Sequence, residues 1–65
     1  MDINKAIKIC LLNGIKVFPE VVHKKFVVAI KEKGKPVKLS LKNHTSNTIN
    51  DAIIATYTFL AKKLS

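Results

Sequence analysis

The sequence predicts an α+β domain of order αβββα, a three-stranded antiparallel sheet with two helices on one face. Two observations carry this. Apolar residues recur at helical spacing near both ends of the chain and at every second position between them. Turn-forming residues (Gly14, Gly34 and the polar stretch 43–47) fall between those runs. Sixty-five residues, 1–65, make a single small domain, and a domain of this size buries only about 60% of its unfolded surface. The 48% hydrophobic share supports a compact core without disulfides.

Residues 2–13 read as the first helix. Ile3, Ala6, Ile7, Cys10 and Leu11 share one face. Asp2 is placed to cap its start, and Gly14 to end it. Ile15 to Phe18 reads as a strand, with Ile15 and Val17 inward; Pro19 either ends it or places it at a sheet edge. Residues 20–24 are a connection or a strand extension. Lys25 to Lys31 is the clearest strand, with Phe26, Val28 and Ile30 inward. Glu32-Lys33-Gly34-Lys35 is the turn, and Val37 to Leu41 the return strand of a hairpin. Its expected inward residues are Val37, Leu39 and Leu41. A second helix spans about 48–63, opened by the capping-box variant Thr48-Ile49-Asn50-Asp51. Its buried stripe is Ile49, Ala52, Ile53, Thr56, Leu60 and Lys63, flanked by Tyr57, Phe59 and Leu64.

Charge sets the partner class. All twelve basic residues are lysine, opposed by Asp2, Glu20, Glu32 and Asp51, for a net charge of +8. Such a chain is drawn to polyanions, chiefly nucleic acid. Lysine lacks the planar fork that reads base edges, so backbone contacts are expected rather than sequence recognition. Strand alternation places Lys16, Phe18, Lys25, Val27, Ala29, Lys31, Lys38, Ser40 and Lys42 on the sheet face away from the helices. Lys33 and Lys35 at the hairpin tip extend it. The expected nucleic-acid contacts are Lys16, Phe18, Lys25, Lys31, Lys33, Lys35, Lys38 and Lys42, the lysines on phosphate and Phe18 on a base. An ordinary solvated face would carry lysines as well.

Lys25-Phe26-Val27-Val28-Ala29-Ile30, then Gly34-Lys35-Pro36-Val37-Lys38-Leu39, then a helix with Ala52, Ala55 and Tyr57, resembles the three-strands-plus-helix module of plant AP2-type and phage integrase arm-binding domains, over residues 15–64. The resemblance implies a sheet that enters the major groove of DNA. Those families carry arginines and a tryptophan on the sheet, and this chain has neither. The αβββα order also resembles a double-stranded-RNA-binding domain. Asn47-Thr48-Ile49-Asn50 stands where that family has a lysine pair opening its helix.

Catalytic and metal chemistry are not expected. His23 and His44 fall in predicted loops without cysteine or carboxylate at ligand spacing. The four acids form no local pair, Gly14 and Gly34 are isolated, and Cys10 lies on an apolar helix face. No enzyme activity, metal or cofactor is predicted. No apolar run approaches the roughly 18 residues of a membrane span. The N-terminus lacks a signal-peptide pattern, and a lone cysteine suits a reducing compartment, so a cytoplasmic protein is expected. Two functions remain. One is a nucleic-acid-binding module of low sequence specificity, such as a phage or mobile-element accessory protein. The other is a protein-interaction module, a homodimer through Ile9, Leu12, Ile54 and Ala61, which lie off the main stripes.

Overall fold

The computed structural model describes residues 2–64. It contains α1 (Ile3–Leu12), β1 (Ile15–Val22), β2 (Lys25–Glu32), β3 (Lys38–Leu39) and α2 (Ile49–Leu64). The sheet is antiparallel with β2 central, and the helices share one of its faces, α2 over β1 and β2 and α1 against α2 and β1. This is the expected αβββα architecture.

In α1, Asp2 occupies the N-cap position with extended backbone, but its carboxylate makes no capping hydrogen bond. Gly14 takes φ +75°, the left-handed conformation that ends a helix at low steric cost. Ala6 and Cys10, one turn apart, are fully buried, as is Ala61 of α2. These small side chains let the helices approach closely. Leu11, expected in the core, is 53% exposed. It follows Cys10 by about 100° around the helix, and the buried stripe is centred on Ala6 and Cys10.

β1 runs through Pro19 to Val22. The Tyr57 hydroxyl explains how. It accepts from the Val17 N–H and donates to the Val17 carbonyl, both at 3.0 Å. Those two groups therefore project from the free edge of the sheet rather than toward β2. Pro19, two residues on, projects its backbone to the same side, where a missing N–H removes no ladder bond. Tyr57, expected at the flank of α2, is instead at the centre of its buried stripe with Ile49 and Ala61, while Lys63 is exposed. The start of α2 also differs from expectation. Thr45 holds it: its carbonyl accepts from Thr48 and Ile49, and its hydroxyl from Asn47 and Thr48.

β3 departs most from the sequence expectation. Ala29 faces Leu39 and Ile30 faces Lys38, so Leu39 stands on the outer face and Lys38 on the helix side. Val37, Leu39 and Leu41, expected inward, are all exposed. The cause lies in the turn. Lys35 N–H donates to the Glu32 carbonyl at 3.0 Å, which closes a two-residue turn over Lys33-Gly34. Continued directly, that turn would bring Leu39 opposite Val28, on the inner face. Pro36 follows the turn directly, and its ring holds φ at about −65° rather than at the more extended strand value. The chain takes one more residue before pairing resumes, and a one-residue shift moves every side chain to the opposite face.

Tyr57→Phe is expected to lower stability by about 1–3 kcal/mol, because it leaves buried backbone groups of Val17 without a partner. Urea unfolding followed by circular dichroism measures this; an unchanged midpoint would mean that the bridge contributes nothing.

Candidate nucleic-acid interface

Strand register divides the expected nucleic-acid-binding residues into three sets. Lys16 stands opposite Lys31, Phe18 opposite Ala29 and Val22 opposite Lys25, all on the outer face. Lys33 and Lys35 occupy the β2–β3 turn. Lys38 and Ser40 lie on the helix side, contrary to expectation. Lys38 pairs with Ile30, and the Ser40 N–H donates to the Val28 carbonyl. Lys42 joins them beside Val28, His44 and Ala52 rather than on the outer face. Their displacement follows from the same one-residue shift at Pro36.

The result is a positive pole at the hairpin end. Lys16, Lys31, Lys33, Lys35 and Lys38 meet there, with Glu32 as the one nearby acid among the described residues. Like charges directly opposite, as at Lys16 and Lys31, destabilise a sheet. Lys31 Nζ relieves part of this by donating to the Lys35 carbonyl. Glu32 pairs with Lys35 at 3.1 Å. The hydrogen bond and charge of Lys35, with a smaller contribution from Lys38, hold the Glu32 carboxyl below the usual range. Lys33 is anchored by its backbone: its N–H donates to the Gly14 carbonyl at 2.9 Å. A Cβ at Gly14 would come within 2.9 Å of Lys33 Cβ, so glycine is required by space as well as by φ.

The centre of the outer face is apolar. Ala29 has no exposed surface, although no helix covers it. It forms a floor between the cross-strand neighbours Phe18 and Leu39. Val27, also buried, lies beyond it toward the β1–β2 turn. Neither belongs to the main core cluster. A groove of about 430 Å³ opens over Val27, walled by Val22, Leu39 and Leu41 and rimmed by His23, Lys25 and Asn43. Leu39 is 47% exposed and Leu41 fully so.

The turn beside this groove is strained. His23 and Lys24 have φ of 51° and 64°. A two-residue hairpin with both central φ positive favours Asn-Gly. Non-glycine residues held there cost of order 1 kcal/mol each, and such strain clusters at functional sites. The sequence carries no Asn-Gly signal here, so neither the hairpin nor the groove follows from it.

The expected dimer residues also separate. Leu12 is 76% exposed and Ile54 is exposed, but Ala61 is fully buried between the helices and Ile9 packs against the core. Ala61 and Ile9 are thus occupied within the chain. Cys10 is buried, which pushes its thiol pKa up, and its Sγ lies 3.6 Å from the Tyr57 carbonyl. Among the described residues, no group of three or more His, Cys, Asp or Glu side chains is placed to hold a metal ion, and no helix is long and apolar enough to cross a membrane. No known family, curated protein or solved structure matches the chain, so its own residues carry the functional reading.

Lys24→Gly is expected to raise stability by about 0.5–1 kcal/mol, the relief of left-handed strain less the added chain entropy of glycine. Thermal or urea unfolding checks it. A loss of stability would mean that the turn is not strained.

Proposed function

We propose that the chain is a nucleic-acid-binding module of low sequence specificity, which holds the phosphate backbone through its positive pole. One observation carries this reading: five lysines from three strands and a turn gather around a single, already paired carboxylate. Assembling like charges opposes folding, and a polyanion relieves that cost. The absence of arginine from the chain argues for contacts to phosphate over contacts to base edges. Glu32 sets the strength of the pole. Its lowered pKa keeps it ionised at neutral pH. Its pairing with Lys35 supports the fold above the ordinary glutamate range. That support fades, and the pole gains charge, only as pH falls through the lowered value.

Replacing Lys16, Lys31, Lys33 and Lys35 together with Gln is expected to weaken binding to random duplex and single-stranded oligonucleotides alike. The dependence of log affinity on log salt should flatten by roughly 0.9 for each phosphate that is no longer neutralised on duplex DNA. Glu32→Gln should tighten binding at neutral pH, and Lys5→Gln with Lys8→Gln should have a smaller effect than the quadruple change. A salt titration by fluorescence anisotropy separates these outcomes. Wild-type affinity in the quadruple variant would reject the pole as the binding surface.

A second reading, self-association, draws on the exposed Leu12 and Ile54 on the helix layer. Sedimentation over a range of concentrations should then show a dimer that Leu12→Gln with Ile54→Gln disperses. A monomer at every concentration would reject it.

A further inference from the structure

We propose that the outer sheet face takes an unpaired, single-stranded segment of nucleic acid, bases against its apolar centre and phosphates on the lysines at its two ends. This rests on the nucleic-acid reading above and narrows it to a substrate class. A duplex backbone offers a surface mainly phosphate and sugar, and a face of evenly spread lysines would suit it. This face is built otherwise. Lys16 and Lys31 lie at one end and Lys25 at the other, with Phe18, Ala29, Val27 and Leu39 between them. Glu20, opposite Val27, puts a carboxylate at the β1 margin and disfavours a phosphate path along that side.

The dimensions fit an extended strand. Outer-face rows on β2 recur every second residue, about 6.7 Å apart. That is about twice the 3.4 Å rise of a stacked strand, as expected where bases are separated. Lys31 to Lys25 covers three such steps. Ala29 is the small residue between Phe18 and Leu39 on this face, which leaves room for a base beside the Phe18 ring, and the groove over Val27 offers a second place. At that groove Leu39 and Leu41 supply apolar contact, Asn43 supplies a carboxamide for a base edge, and Lys25 a cation for phosphate. The left-handed His23-Lys24 turn forms one end of this rim. A second copy of the chain would set +8 against +8 across the face. A chain of carboxylates would satisfy the lysines but brings no flat ring to stack on Phe18.

The test compares three labelled probes by fluorescence anisotropy at low salt: a twelve-residue oligothymidylate, a fully abasic strand of the same length and charge, and a twelve-base-pair duplex. Oligothymidylate should bind roughly 5- to 150-fold more tightly than the abasic strand, the range that one stacked base supplies. Phe18→Leu and Leu39→Ser should bring that ratio close to one through loss of oligothymidylate affinity, with circular dichroism checking that each variant is folded. Equal binding of oligothymidylate and abasic strand by wild type would overturn the proposal. So would displacement of oligothymidylate by poly-glutamate at equal charge, or a preference for the duplex. In those three cases the phosphate-binding reading survives. If no probe binds wild type even at low salt, both readings fall.

Discussion

Tyr57 joins three elements of this small fold. From the middle of α2 its hydroxyl meets both backbone groups of Val17 on β1, while its backbone carbonyl accepts from Cys10 of α1. One residue thus ties α2 both to the edge of the sheet and to α1. The surrounding core is built from small residues, Ala6, Cys10 and Ala61, and from Ile15, Val17, Val28 and Ile49. Such a core offers limited apolar area, so a satisfied polar contact at its centre adds specificity that packing alone would not supply. Among the described residues, no buried side-chain nitrogen or oxygen lacks a hydrogen-bond partner.

A second constraint acts at Pro36. Because the ladder resumes one residue late, the alternating segment Val37–Lys42 turns its apolar side chains outward and its lysines toward the helices. The sheet then has two unlike faces, both apolar at the centre. One is covered by helices, and the other is bare and bordered by lysine. The positive pole and the bare face meet at the Lys16–Lys31 pair, so a polyanion held at the hairpin end lies close to the apolar strip.

Much of the architecture is legible because periodicity reports burial directly. The five elements, their order and the inward residues of β1 and β2 all follow from apolar spacing. The orientation of β3 does not, because alternation says which residues share a face but not which face it is. That choice belongs to the turn, where one proline outweighs the pattern. Spacing puts Tyr57 at a flank for a related reason: helical periodicity locates apolar stripes, but carries no sign that a hydroxyl will find a strand edge. The lysine pole is partly legible, since the turn lysines and the Lys16 and Lys31 faces come from the pattern, while Lys38 and Lys42 move with β3. The β1–β2 turn is opaque because His-Lys is not a turn signal, and strain is visible only in dihedral angles.

The two margins of the sheet are unequal, and this limits how copies of the chain could join. On β1 the margin is blunted in its middle: Tyr57 occupies the Val17 groups, and Pro19 offers no donor. On β3 the margin is open, but only two residues long. Growth of a fibre by edge-to-edge stacking requires each new copy to present a second receptive margin to the next. In this chain neither margin offers a long uninterrupted ladder, so edge-to-edge stacking is disfavoured at both, even though the sheet carries bare leucines.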